Sequence, residues 1–233
     1  GAKWFIEGDI KGFFDNIDHH VLIDIMKGRI ADDRFLRLIR KFLNAGYMEE
    51  WQFNKTYSGT PQGGIISPIL ANIYLDKFDK YMDEYANKFN KGTARSRNKD
   101  ICKLNSRVHY LKRRINEVED VNVRTRMVEE LHEKQKLILT MPSGNDMDVN
   151  FRRLKYVRYA DDFLIGVIGT KNECETIKAD ITKFMQEKLR LEMSQEKTLI
   201  TNAQDSAKFL GYEIYVRKDY ATKRNTKRIP TRR

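Results

Sequence analysis

Residues 154–168 run LKYVRYADDFLIGVI, two β-rich stretches on either side of an Asp-Asp pair. Aromatic and branched residues at this density predict two strands around a tight turn, with Asp161 and Asp162 at its tip. Adjacent carboxylates at a hairpin end project beyond the sheet edge, and no basic residue stands beside them in sequence to neutralise them. Their repulsion raises a pKa or calls for a cation. Oxygen donors of this kind suit a hard divalent ion such as Mg²⁺. A bare Asp-Asp pair is more often an ordinary turn, but an exposed turn does not need such apolar strands on both sides.

Working outward, residues 3–10 (KWFIEGDI) predict a short strand that ends in a third carboxylate, Asp9. A lone strand-end Asp commonly caps; three carboxylates on neighbouring strand ends would instead hold two Mg²⁺ ions roughly 3.5–4 Å apart, the arrangement that supports in-line displacement at phosphorus. Asp18 is placed to cap a helix with Val21, Leu22, Ile25 and Met26 on one face. Asp32 or Asp33 is placed to cap a second, with Phe35, Leu36, Ile39, Phe42 and Leu43 inward and Gly46 as its stop. Residues 54–66 form a turn-rich loop. Ser67-Pro68 then starts a long helix, cap before proline, with Ile69, Leu70, Ile73, Tyr74 and Phe78 as its buried stripe. Beyond the Asp-Asp turn, Asn172 is expected to cap a helix carrying Ile177, Ile181, Phe184 and Met185, followed by strands at 197–202 and 208–216. There is no internal repeat.

The chain has 233 residues, with 44 Lys+Arg against 33 Asp+Glu, a net charge of +11 and 40% hydrophobic residues. That apolar share excludes wholesale disorder, and the length allows one or two domains. Cys102 and Cys174 lack CxxC or CxxxH spacing, which excludes a disulfide framework or cysteine zinc site and fits a reducing compartment. His19, His20, His109 and His132 also lack metal spacing. No apolar run reaches the ~18–20 residues of a membrane span, and no charged-then-apolar leader is visible. Because the chain opens Gly-Ala and runs at once into Trp4-Phe5-Ile6, we expect it to be a piece of a longer protein.

The positive charge is not evenly spread. Between residues 88 and 114 lie Lys88, Lys91, Arg95, Arg97, Lys99, Lys103, Arg107, Lys112, Arg113 and Arg114, against Asp100 alone. Val108, Leu111, Ile115 and Val118, then Val128, Leu131 and Leu137, keep helical spacing, so two charged helices are expected, with a loop at 142–145. These are either solvated faces or, as arginine-rich segments, contacts to RNA phosphates. Residues 217–233 hold eight more basic residues against Asp219, a frayed tail or a link to a further domain.

Five blocks occur in order: GDIKGFFDNIDH (8–19), SGTPQGGIISPILANIYLDKFD (58–79), YVRYADDFLI (156–165), SQEKTLITNA (194–203) and KFLGYEI (208–214). Together they resemble the palm of a template-copying polymerase, specifically a reverse transcriptase. Gln62, Gly63, Ser67 and Pro68 fit a QGxxxSP pattern. With YADD and the insertion before it, the chain resembles the group II intron-encoded reverse transcriptases, or maturases, over nearly its whole length. The fold implied is α/β (α+β): an antiparallel sheet flanked by helices, plus a basic helical insertion. The implied parts are palm and fingers at 1–86, the insertion at 87–150, the palm with YADD hairpin and primer grip at 151–216, and the tail at 217–233. Upstream fingers motifs and a downstream thumb, with any endonuclease domain, are expected outside this sequence.

The resemblance implies RNA-directed DNA synthesis from dNTPs on an RNA template and DNA primer, with binding of intron RNA in splicing and mobility. Asp9 and Asp161 would ligate two Mg²⁺ ions (Mn²⁺ as an alternative), helped by the Ile10 carbonyl, with Asp162 a weaker or structural ligand. Phe14 would be the aromatic gate against a ribose 2′-OH, and Phe13 a core aromatic. Gln62, Gly63 and Gly64 would pass close to the nascent pair. Lys197 would meet the triphosphate, a solvated surface lysine being the alternative. Phe209, Leu210, Gly211 and Tyr212 would form a primer grip, or simply pack the core. A bacterial cytoplasm or an organellar matrix is the expected location, with no membrane partner. A homodimer is left open, with nothing in the sequence to support it. Two rivals stay open: a splicing factor whose polymerase site is idle, and a retron or CRISPR-associated relative. QGxxxSP speaks against a diversity-generating enzyme.

Overall fold

The computed structural model describes residues 2–49, 52–54, 58–60, 65–141, 144–145 and 148–216. Strand β1 (Trp4–Gly8) is turned by Gly12, in the left-handed region at φ +53°, into the single-turn helix α1 (Phe13–Asn16). Asp18 caps α2 (His19–Lys27), its carboxylate accepting from the His20 and Val21 N–H groups. Asp32 does the same for α3 (Asp33–Asn44). A small hairpin of β2 (Tyr47–Glu49) and β3 (Gln52–Asn54) follows, which the sequence reading does not anticipate. Helix α4 (Ser67–Phe89) carries Pro68 in its first turn. Its cap position is Ile66, because Ser67 is already inside the helix and buried.

The basic segment supplies α5 (Lys99–Arg114) and α6 (Val121–Thr140). The chain then returns through β4 (Arg153–Tyr159), β5 (Asp162–Ile168), α7 (Lys171–Leu189) and β6 (Ile200–Asn202). Thr170, not Asn172, caps α7: its hydroxyl accepts from Glu173 N–H while the Glu173 carboxylate accepts from Thr170 N–H, a reciprocal box. The expected strand at 208–216 is instead a hairpin, β7 (Ala207–Phe209) and β8 (Tyr212–Ile214). Leu210 and Gly211, both at positive φ, make the reversal.

Four strands form one antiparallel sheet in the order β4-β5-β1-β6. Helix α4 packs on β4 and α2, and α7 on β1 and β6. The core gathers Ile6 of β1, Phe163, Ile165 and Val167 of β5, and the inner faces of α2, α4 and α7. Phe78 sits among the rings of Tyr156, Phe163 and Phe184. Three expected core residues lie outside it. Helix α3 buries only the stripe Leu36, Ile39 and Leu43, so Phe35 and Phe42 fall to its flank and are exposed. Ile69 likewise sits beside the α4 stripe centred on Leu70, Tyr74 and Phe78.

The described residues divide into two compact units: 2–90 with 152–215, and 91–151 together with Val216. In the second, α5 packs on α6, Ile101, Val108 and Leu111 of α5 are buried, and Arg107 grips Glu130 with two hydrogen bonds of 2.9 and 2.8 Å. No residue of α6 is buried, so Val128 and Leu131 are only partly covered and Leu137 is exposed. Val118 lies in the turn between the helices. Of the loop expected at 142–145, Pro142 and Ser143 lie outside the described residues, while Asn145 N–H donates to Ser96 O.

Candidate active site

The register of the sheet brings the acidic residues of distant segments to one end. Gly8 pairs with Phe163 and Tyr159 with Asp162, so Asp9, one step beyond Gly8, falls opposite Asp162. Strand side chains alternate. Ile6 and Gly8 face the core; Glu7 and Asp9 therefore face the other side of the sheet. Gly8 must be glycine: a Cβ there would stand 2.1 Å from the buried Phe163 ring. The two-residue loop Ala160-Asp161 has positive φ at its first position only (Ala160, +52°), the pattern of a type II′ hairpin turn.

Lys197 reaches this sheet end from the turn after α7. Its Nζ lies 3.2 Å from one Asp9 oxygen and 3.3 Å from the other. The turn is closed by Thr198 N–H donating to Ser194 O, and is tied to α7 by Lys178 Nζ donating to Thr198 O at 2.6 Å. Burial, then the charges of Asp161 and Asp9, push the Asp162 carboxyl above its ordinary value, with Lys197 opposing. The charges of two carboxylates thus act on Asp162, and an ammonium already stands on Asp9. Among the described residues, no three His, Cys, Asp or Glu side chains converge tightly enough to form a finished metal centre. The donor chemistry itself, hard oxygens with unbalanced negative charge, fits a divalent cation. Ile10 is buried, and the backbone bonds on either side of it use Asp9 O and Lys11 N–H.

On the open side of the sheet, the β7–β8 hairpin packs against β1 and β5. Glu7 holds it there, one oxygen accepting from Lys208 N–H at 2.8 Å while the other accepts from the Thr201 hydroxyl of β6 at 2.5 Å. Between hairpin and sheet lies an open groove of about 430 Å³, lined by Asp9, Asp162, Lys197, Phe209, Leu210 and Gly211 among others. Six of the residues singled out from sequence therefore share one groove.

Phe14 is half-buried on α1, its ring edge-on to the fully buried Phe13 at 5.3 Å. Segment 58–60 clasps this helix. Thr60 N–H donates to Phe14 O at 2.7 Å and Gly59 N–H to Ile17 O at 2.8 Å. Gly59, at φ +81°, lies so close that a Cβ would stand 2.4 Å from Phe14 O. His19, buried, bonds through Nε2 to Gly59 O at 2.6 Å. Gln62, Gly63 and Gly64 lie outside the described residues.

No basic residue stands beside the Asp-Asp pair in sequence, but the fold brings Lys197 to Asp9 and Arg158 to the backbone of the turn. Arg158 folds back from β4 and donates through Nη1 to Ala160 O at 2.8 Å, while Asp79 of α4 holds the same guanidinium at 2.9 and 2.6 Å. Arg158, Asp79, Glu7 and His19 are the site residues that sequence reasoning missed. Their partners lie from 25 to more than 200 positions away, except for the short reach of Arg158 to Ala160, where period-2 spacing from Tyr156 was the available signal. In the helical unit, Arg97, Lys112 and Arg113 are exposed, Arg95 lies over the Phe151 ring, and Arg107 and Arg114 are paired with Glu130 and Glu117. No described helix is long and apolar enough to cross a membrane.

Comparison with known proteins fits this geometry. The chain is 45% identical over 227 residues to the group II intron-encoded protein LtrA of Lactococcus lactis subsp. cremoris, covering 97% of this chain and 37% of that protein. It is 40% identical to the COX1/OXI3 intron 1 protein of Saccharomyces cerevisiae, covering 93% of this chain and 24% of that one. It thus spans well under half the length of either relative. Among solved structures, apo telomerase of Candida tropicalis truncated from its C-terminal domain shares the fold, with a TM-score of 0.52 at 14% identity over 92% of this chain and 34% of that one. The family described as reverse transcriptase (RNA-dependent DNA polymerase) matches residues 1–102 and 124–214. With so much of its length matched, and the match spanning both edges of the acidic sheet end, the chain belongs to the reverse transcriptase family.

Proposed function

We propose that this chain is the polymerase core of a group II intron-encoded protein, which copies an RNA template onto a DNA primer and binds its intron RNA to assist splicing and mobility. The observation that carries this reading is the register that sets Asp9 opposite Asp162 at the Ala160-Asp161 turn, beside the groove under the β7–β8 hairpin. The intron-encoded relatives support the intron context. The unit 2–90 with 152–215 would be palm with part of the fingers, and 91–151 the basic insertion.

Reverse transcriptases work with divalent metal ions, and here Mg²⁺ is the ion proposed, two of them, with Mn²⁺ as substitute. Asp9 and Asp161 would hold them, with Asp162 and the Ile10 carbonyl assisting. Bound there, such ions supply Lewis acidity to the attacking and the leaving oxygen. The remaining work falls to the protein. Phe14, half-exposed beside a rigid Phe13, would fill the space a 2′-OH needs and so select deoxynucleotides. Lys197, exchanging Asp9 for the incoming triphosphate, would present Nζ–H to the departing phosphate. Leu210 and Gly211 would hold the primer end, and Gln62 and Gly63 the templating pair.

Primer extension by the full-length protein, with a DNA primer on an RNA template and Mg²⁺, tests the reading. Asp161→Ala is expected to lower extension by more than the roughly 10- to 100-fold typical of residues that only orient a metal ligand, with RNA affinity nearly unchanged. Unchanged extension would remove Asp161 from the site. A wild-type protein that binds intron RNA and never extends would favour an idle polymerase in a splicing factor.

A further inference from the structure

Arg158 has a place in the fold that the polymerase reading does not use. Its side chain is 9% exposed, and every nitrogen of its fork is engaged. Nε and Nη2 grip the two oxygens of Asp79 at 2.9 and 2.6 Å, and Nη1 donates to Ala160 O at 2.8 Å with Asn72 Oδ1 at 3.2 Å. Asp79 also accepts from the Tyr156 hydroxyl at 2.8 Å. Asn72 and Asp79 are two turns apart on α4, hence on one face. The guanidinium therefore ties the corner of the YADD hairpin to a long helix that is itself anchored in the core by Tyr74 and Phe78.

That corner needs holding. Ala160 has φ +52°, a conformation that glycine adopts freely and alanine does not. Backbone of this kind persists where the surrounding structure over-determines it. The bond from Arg158 lands on the carbonyl of this residue, immediately before Asp161. Charge neutralisation is not its contribution, because the Arg158 positive charge is matched by Asp79 one for one.

We infer that Arg158 is a positioning residue: clamped by Asp79, it locks the left-handed corner at Ala160 and thereby sets where the Asp161 and Asp162 carboxylates stand. The inference rests on the reading of these carboxylates as cation ligands for its consequence, but the clamp itself is open to a separate measurement. Lysine cannot replace the fork, since it offers one nitrogen where three are in use.

The test uses the full-length protein, wild type and Arg158→Lys, with two readouts. Hydrogen exchange of peptides covering the turn, in metal-free protein, is expected to speed up in the variant relative to the rest of the sheet. Mn²⁺ titration followed by electron paramagnetic resonance is expected to show about ten-fold weaker binding, the scale of losing a group that orients a metal ligand. Should Arg158→Lys fail to fold, Asp79→Asn serves. That side chain is 37% exposed, and the substitution keeps volume and one acceptor while releasing Nη2. Wild-type turn exchange and wild-type Mn²⁺ affinity, with only a lower melting temperature, would overturn the inference. A wild-type protein that binds no Mn²⁺ would instead overturn the ligand reading, and turn exchange would still decide the clamp.

Discussion

Phe13 and Phe14 are chemically identical neighbours that the fold treats differently. Phe13 is sealed in the core against Tyr74, while Phe14 keeps part of its ring open on a helix of a single turn. Phe14→Ala is therefore expected to leave folding largely intact and to reduce discrimination against ribonucleotides by roughly 10- to 100-fold. Competitive incorporation of rNTP and dNTP by the full-length enzyme checks this, and unchanged selectivity would take the gate role from Phe14. The two rings stand one place apart in sequence, and they differ in burial as the resemblance implies for a core aromatic and an accessible one. Asp9, Asp161 and Asp162 were legible because acidic residues at strand ends are conspicuous among apolar ones. Arg158 was not, because its counter-ion is 79 positions away on α4.

At the scale of elements, the density of aromatic and branched residues made β1, β4 and β5 readable, and Asp18 and Asp32 announced their helices by capping. Where several adjacent residues could serve, the reading slipped. Thr170 rather than Asn172 starts α7, and a non-glycine residue at positive φ hid the β7–β8 turn. Helix α3 shows the limit of periodicity: Phe35 and Phe42 lie close to the buried stripe in angle, yet among the described residues both stay largely exposed. The start of α7 also carries a pH dependence. Burial works to raise the Glu173 carboxyl, but the Arg152 guanidinium and the Thr170 N–H and hydroxyl hold it below its ordinary value of 4.5. A carboxylate depressed on folding stabilises the fold above its unfolded pKa, and that contribution fades as the pH falls through the folded value. Glu173→Gln should accordingly lower the melting temperature at neutral pH. The gap to wild type should close as the medium is acidified below about pH 4.5, a change that thermal melts across that range would follow. A gap independent of pH would mean that the hydrogen-bond geometry of the box, not its charge, matters.

For the whole molecule, charge and fold divide along the same line. The sheet unit carries the acidic end, and the helical unit a run of basic residues on α5, of which Arg107 and Arg114 are already committed to glutamates. Lys112, Arg113 and Arg97 remain exposed. Replacing 91–151 by a short flexible linker in the full-length protein is expected to spare primer extension more than intron-RNA binding. The dependence of RNA affinity on salt should become shallower by about 0.7–0.9 in log–log slope for each phosphate the shortened protein no longer neutralises. An unchanged slope would make those arginines a solvated face. The change in composition after residue 87 marks the basic insertion in the sequence, whereas the helices that find a sheet to cover are settled only by contacts between distant segments.

The two ends of that helical excursion are each closed on themselves. Asn90 Oδ1 accepts from Leu154 N–H at 2.8 Å on the sheet side, and Gly92 lies so near Asn150 that a Cβ would stand 2.5 Å from its carbonyl oxygen. To the strands, then, the whole basic excursion amounts to a narrow doorway. What hangs beyond such a doorway can lengthen, shrink or change its cargo at a cost that grows only with the logarithm of its length. The register of the acidic sheet end on the other side is spared any adjustment when that excursion changes.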